Sequence, residues 1–240
     1  MTFPSVSPWR PAGARRARPA KDPLTRDQIV ATGLRLVAAE GIDAVSMRRI
    51  AAEFDTGPSS LYAHVANKDE LLQLMFDEIC THVPIPAPDP EHWQEQLKAL
   101  VRDTQAAMMA HGDIARAGLG TIPTGPNVSR ITDAMLGVLR AGGIPAPVAA
   151  IALDRLFLYV VSDAYERSIY RARVGATDAE LRAYFEQLGA HLVEFYESLP
   201  EETYPNLRAH ARDLIAANGR QRFDFGLDML VDGLVRYVEK

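Results

Sequence analysis

Cysteine is nearly missing from this 240-residue chain, which has one, Cys80. That excludes a disulfide framework and any metal site built on paired thiolates. Long hydrophobic runs are missing as well. The apolar stretches are short, such as residues 156–161, where a membrane-spanning helix needs roughly 20 residues, so no membrane partner is expected. The six histidines show no His-x-x-x-His spacing, and there is neither a Gly-rich phosphate loop nor a Gly-x-Ser-x-Gly elbow. With no catalytic constellation, no metal ligands and no cofactor motif, the expectation is a protein that is not an enzyme. Strict two-residue alternation is absent too, which argues against a sheet. Arg10, Arg15, Arg16, Arg18 and Lys21 are followed by no apolar stretch, so no secretory signal is expected. With the lone cysteine, this points to a reducing cytoplasm.

What is there suffices for a large core: 48% of residues are hydrophobic, and the length fits one small and one larger domain. The net charge of −5 is unevenly spread. Residues 1–68 hold ten Lys/Arg against six Asp/Glu, a balance of +4, which leaves −9 for the rest. The total disfavours a polyanion partner, but an electrostatic footprint is local, and the basic part is the N-terminal part. Residues 1–23 have the composition of a basic, disordered arm. Whether they add minor-groove contacts stays open.

Thr25-Arg26-Asp27-Gln28 has the form of a capping box and opens a first helix with Ile29, Val30, Leu34 and Val37 at helical spacing; Gly41 ends it. Ser46 caps a second, short helix with Ile50, Ala51 and Phe54 inward, stopping near Asp55. Gly57-Pro58 opens a third that runs to about Val65. Asn67 with Glu70 starts a fourth, residues 67–82, carrying Leu71, Leu72, Met75 and Ile79. The proline-rich residues 84–90 then separate a domain at 24–83 from one at 91–240. Beyond them the pattern predicts helices over about 93–110, 114–119, 128–141, 147–173, 178–199 and 222–239. The fold class is all-α: a three-helix helix-turn-helix head followed by a larger helical domain.

A helix-turn-helix places its later helix in the major groove of DNA. Leu61 and Val65 are four apart and face the core, which leaves Ser59, Ser60, Tyr62, Ala63 and His64 on other faces. Short hydroxyls, a phenol, a methyl and an imidazole can reach base edges, thymine methyls and phosphates. No acid occurs from Pro58 to Ala66, and Arg48, Arg49 and Lys68 nearby can neutralise phosphate. The alternative for Tyr62 and His64 is packing at the foot of the domain. Cys80, beside Ile79 and Val83, reads as a small buried hydrophobe, since a redox sensor needs an exposed low-pKa thiol.

Over residues 26–75 the chain resembles the tetracycline-repressor (TetR) family of bacterial transcription regulators. The likeness rests on Ile50-Ala51-Ala52-Glu53-Phe54, the turn, and Ser60-Leu61-Tyr62-Ala63-His64-Val65-Ala66-Asn67-Lys68-Asp69-Glu70-Leu71-Leu72. It implies that Arg48 and the segment Pro58, Ser59, Ser60, Tyr62, Ala63, His64 read bases, with Tyr62, His64 and Lys68 also on phosphates. One departure is Asp55, where the turn often has glycine; Asp tolerates the left-handed region, so a slightly strained turn is expected.

The resemblance extends more weakly past Trp93, towards the tetracycline-binding branch. Gly118-Leu119-Gly120-Thr121-Ile122-Pro123 is similar to a loop that there carries a histidine metal ligand and a threonine, but here Gly118 stands in the histidine's place. The resemblance therefore implies a small-molecule pocket relined for something other than a metal-tetracycline complex, with no metal or cofactor. Its candidate lining is Thr104, Met108, Thr121, Ile131, Met135, Leu153, Phe157 and Glu166, any of which could equally be plain core. Residues 147–173 and 223–238 correspond to the family's dimerising bundle, the latter with Phe225, Leu227, Leu230, Leu234 and Tyr237 near one stripe and Gly226 and Gly233 small enough for close approach. The implied function is a ligand-responsive regulator, a homodimeric repressor that a small hydrophobic effector releases from a palindromic DNA operator. An all-α small-molecule or lipid binder with no role in transcription is the alternative.

Overall fold

The structure is a computed structural model describing residues 24–119, 124–174 and 177–239. The expected arm 1–23 and the expected pocket residue Thr121 lie outside them. Helices α1 (Arg26–Glu40), α2 (Met47–Glu53) and α3 (Lys68–Glu78) build the N-terminal half. Then come α4 (Trp93–Met109), α5 (Pro126–Ala141), α6 (Ala146–Val174), α7 (Asp178–Ser198), α8 (Pro205–Ala209) and α9 (Gly219–Asp232). Short 3-10 turns lie between them at Ile42–Ala44, Pro58–Ser60 and Ile114–Gly118, and after α9 at Val235–Tyr237. No strand occurs among the described residues, and no described helix is long and apolar enough to cross a membrane.

The capping chemistry sets these boundaries. Thr25 accepts from the Gln28 amide while Gln28 reaches back to the Thr25 amide, so the first turn of α1 is closed from both sides. Gly41 ends α1 with a φ of 83°, a conformation that suits glycine, and its N–H returns to the Val37 carbonyl. Ser46 accepts from the Arg49 amide at α2, and Asn67 from the Glu70 amide at α3. Asp55 turns the chain after α2 with a φ of 50°, as the departure from glycine suggested.

The third segment differs from its expectation. Residues 58–65 do not form a regular α-helix; they run as a 3-10 turn, Pro58–Ser60, followed by tight turns. Ser59 and Ser60 offer hydroxyls that compete for backbone partners, and Asn67 already caps the next helix, which confines the segment to eight residues. The inward spacing survives, because the Val65 amide still reaches the Leu61 carbonyl at 2.9 Å and both side chains are buried. The fourth helix ends at Glu78, with turns carrying the chain to His82.

One hydrophobic cluster is continuous from Ile29 in α1 through Met75 and Phe76 in α3 to Val138, Leu156 and Leu227 in α5, α6 and α9. The head is thus packed on the rest through α3 and through the end of α1. Phe76 meets Phe157 of α6 edge-on at 6.2 Å.

Candidate nucleic-acid interface and effector site

The reading segment presents polar and small groups outward. Ser59, Ser60 and Ala63 are exposed, Tyr62 is 54% exposed, and Pro58 and His64 are half-buried. Two contacts stiffen the segment: Thr56 and Ser60 share a hydroxyl hydrogen bond of 2.8 Å, and Arg26 donates from Nε to the His64 carbonyl at 3.2 Å. Both residues were absent from the sequence candidates. Arg26 carried a signal, since a cation in the first turn of a helix opposes the dipole and calls for a partner elsewhere.

The neighbouring cations divide. Arg48 is exposed and makes no hydrogen bond or ion pair among the described residues. Arg49, expected to help neutralise phosphate, is instead paired with Glu53 one turn on and with Glu40 at 3.1 Å, while Glu53 also takes Arg35 at 3.3 Å. The Arg49 hydrogen bond holds the Glu53 carboxyl below its ordinary range. Arg49 thus joins α1 to α2, and Arg48 is left for the solvent side. Lys68, half-buried at the start of α3, lowers the Asp43 carboxyl at a distance, behind the larger effect of Arg116.

In the second half, Thr104, Met108, Ile131 and Met135 are buried in the core, Leu153 and Phe157 are partly buried against it, and Glu166 is exposed. The Thr104 hydroxyl is committed to its own helix, donating to the Leu100 carbonyl at 2.7 Å. A groove of about 280 Å³ lies between α6 and α9, lined by Val148, Ile151, Leu156, Leu230, Leu234 and Tyr237 among others, and by none of the seven candidates among the described residues. Gly118 has a packing reason. A Cβ there would stand 2.9 Å from the Phe76 ring and 3.3 Å from Val161. The Phe76 ring fills the space that a metal-binding histidine at 118 would need, so the residues present do not fit such a metal.

The groove borders an exposed apolar face. Ile151 on α6 and Phe225 on α9 are each 66% exposed, and Met229 is 60% exposed. Ion pairs orient that face. Asp224 pairs with Arg102 at 2.7 Å, and Asp228 and Asp232 with Lys98 at 2.8 and 3.2 Å, so one stripe of α9 is fixed on α4 while Phe225 and Met229 turn outward. Burial alone would depress the Lys98 amine, but its two carboxylates raise it. Gly226, expected to admit a partner helix, serves packing within the chain: a Cβ there would meet the Tyr159 hydroxyl at 2.4 Å.

A head with an exposed reading segment, joined by a helix to an all-α second half, defines a DNA-binding transcriptional regulator with a sensor domain. The chain belongs to the TetR family. Residues 29–75 match "Bacterial regulatory proteins, tetR family" and residues 85–238 match "Tetracyclin repressor-like, C-terminal domain". The HTH-type transcriptional repressor DrrR1 of Streptomyces coeruleorubidus is 32% identical over 92% of this chain and 81% of its own. The crystal structure of Streptomyces coelicolor ActR in complex with actinorhodin is 37% identical, with a TM-score of 0.81 over 92% of this chain and 99% of that one. The class C tetracycline repressor protein of Escherichia coli is 27% identical over 88% of this chain and 90% of its own. Membership makes the chain a ligand-responsive, DNA-binding transcriptional regulator.

Proposed function

We propose that the chain is a homodimeric repressor that grips a palindromic operator with two heads and is released by an apolar small molecule held in its second half. The observation that carries this is the acid-free segment 58–66, exposed at Ser59, Ser60, Tyr62 and Ala63, with Arg48 exposed on the preceding helix α2. One such short segment gives little affinity, and helix-turn-helix dimers set two of them about 34 Å apart, one turn of the duplex. The exposed Ile151, Phe225 and Met229 supply an apolar face for a second copy. Effector and operator then oppose each other by linkage: a ligand that prefers a dimer with its heads at the wrong separation weakens DNA binding by the same factor.

The effector chemistry is apolar, on the candidate set Thr104, Met108, Thr121, Ile131, Met135, Leu153, Phe157 and Glu166. The likeness to the repressor DrrR1 supports the repressor reading, and the ActR complex with actinorhodin supports a small-molecule effector. Gly118 and Phe76 speak against a magnesium-tetracycline complex. The test is selection of bound fragments from random DNA by the full chain, then release of the best fragment by actinorhodin and by tetracycline with Mg²⁺. Release by actinorhodin and not by tetracycline is expected. Release by tetracycline with Mg²⁺ would overturn the effector reading, and failure to enrich any fragment would overturn the repressor reading.

A further inference from the structure

The head meets the second half through two sets of polar contacts that differ in burial. At the end of α1, the Ile42 amide donates to Asp113 Oδ1 at 2.8 Å, and Arg116 pairs at 2.8 Å with Asp43, whose side chain is 80% exposed. The second set, at the end of α3, is enclosed. The buried Asp77 accepts from the Val128 amide at 2.9 Å through Oδ1 and from Asn127 Nδ2 at 3.0 Å through Oδ2. Its carboxylate thus sits on the first turn of α5, where unpaired amides and the helix dipole favour an anion. From α5, Arg130 reaches back and donates to the carbonyls of Cys80, Thr81 and Val83, each at 3.0 Å, just beyond the end of α3. Each of the two helix ends is met by a charge from the other helix. Gly125 makes room, since a Cβ there would stand 2.2 Å from Asp77 Oδ1.

From this clamp α3 runs its 11 residues, about 16 Å, back to Lys68 and Asn67, which follow directly on the reading segment. The junction of α3 with α5 is therefore one of the places that set the direction in which the second half holds its head. We propose that Asp77 and Arg130 are positioning residues for operator reading: they fix the separation of the two heads while touching neither DNA nor effector. This rests on the dimeric reading above. A loosened clamp leaves each head able to read its own half-site but disperses the pair, so binding across two half-sites loses effective concentration.

The experiment titrates full-length Asp77→Asn, Arg130→Met, Arg130→Lys and Gly125→Ala against two DNA fragments. One is the full site selected by the wild-type chain; the other has one half scrambled. Thermal midpoint and dimer mass are recorded on the same preparations. Arg130→Met and Asp77→Asn are expected to bind the full site about tenfold more weakly, the equivalent of one hydrogen bond to a charged group. Half-site binding is expected to stay unchanged and the dimer intact. Arg130→Lys should recover part of the loss, because an ammonium keeps the charge but not the forked reach. If the two stronger variants do not fold, Arg130→Lys and Gly125→Ala carry the test, since both leave the Asp77 charge and a cation at 130. Equal losses on both fragments, or an unchanged full-site affinity, would overturn the proposal. A wild-type chain that binds both fragments equally would overturn the dimeric reading and the proposal with it.

Discussion

Arg48 and Arg49 are neighbours with opposite fates. Arg49 is tied to α1 by Glu40 and to its own helix by Glu53, while Arg48 is exposed and has no side-chain partner among the described residues. Arg48→Ala is expected to weaken operator binding by about 1–3 kcal/mol and relax specificity at one position, whereas a phosphate contact would weaken all sequences evenly and reduce the salt slope by about one. Selection from random DNA separates the two. The sequence offered half of this division, since Glu53 stands four residues after Arg49 on one helix, whereas Glu40, 9 residues upstream, is brought to it only by the fold. Cys80, by contrast, was readable from its apolar neighbours. Burial pushes its thiol up to about 12, so it should resist alkylation in the native protein at pH 8. An unfolded thiol ionises near 9; the folded pKa is raised, so its stabilising contribution is full below pH 9 and is lost as pH rises towards 12. Urea midpoints that rise with pH across that window would contradict this. Gly118→His is expected to lower the melting temperature without creating a metal-tetracycline response, because the Phe76 ring already fills the site.

At the scale of elements, caps were the most legible feature. Thr25, Ser46 and Asn67 each do in the structure what their side chains suggested. Ser46→Ala is expected to destabilise the protein by about 1 kcal/mol, read as a lower urea midpoint at constant slope. The same chemistry opens the last helix: Asn218 and Gln221 form a capping box that starts α9 at Gly219, ahead of the expected start at 222. The segment 58–65 was legible in spacing and not in geometry. Apolar residues four apart bury identically on an α-helix and on a string of tight turns, so Leu61 and Val65 could not tell the two apart. The polar clamp between α3 and α5 was invisible for a different reason. Asp77 and Arg130 are 53 positions apart, and a lone acid or base on a helix carries no mark of what it will meet.

For the whole molecule, the balance of charge and apolar surface separates two tasks. The N-terminal 68 residues are net positive in an otherwise acidic chain, and the three most exposed large apolar side chains of the described residues, Ile151, Phe225 and Met229, lie on α6 and α9. Ile151→Glu combined with Phe225→Glu is expected to give a folded monomer by sedimentation, with operator affinity reduced to that of a half-site. The all-α plan and the placing of the head were readable because helical spacing and caps are local. Whether Thr104, Met108, Ile131 and Met135 line a pocket was not legible, because they are apolar or self-bonded, and lining a cavity and filling a core demand the same side chains. The most direct measurement is enrichment from random DNA by the full-length chain in parallel with its Arg48→Ala, Tyr62→Ala double variant. The expected result is a two-fold symmetric site enriched by the wild type and lost by the variant, with melting temperature and dimer mass unchanged. Enrichment of the same site by both proteins would contradict the assignment of DNA reading to this segment.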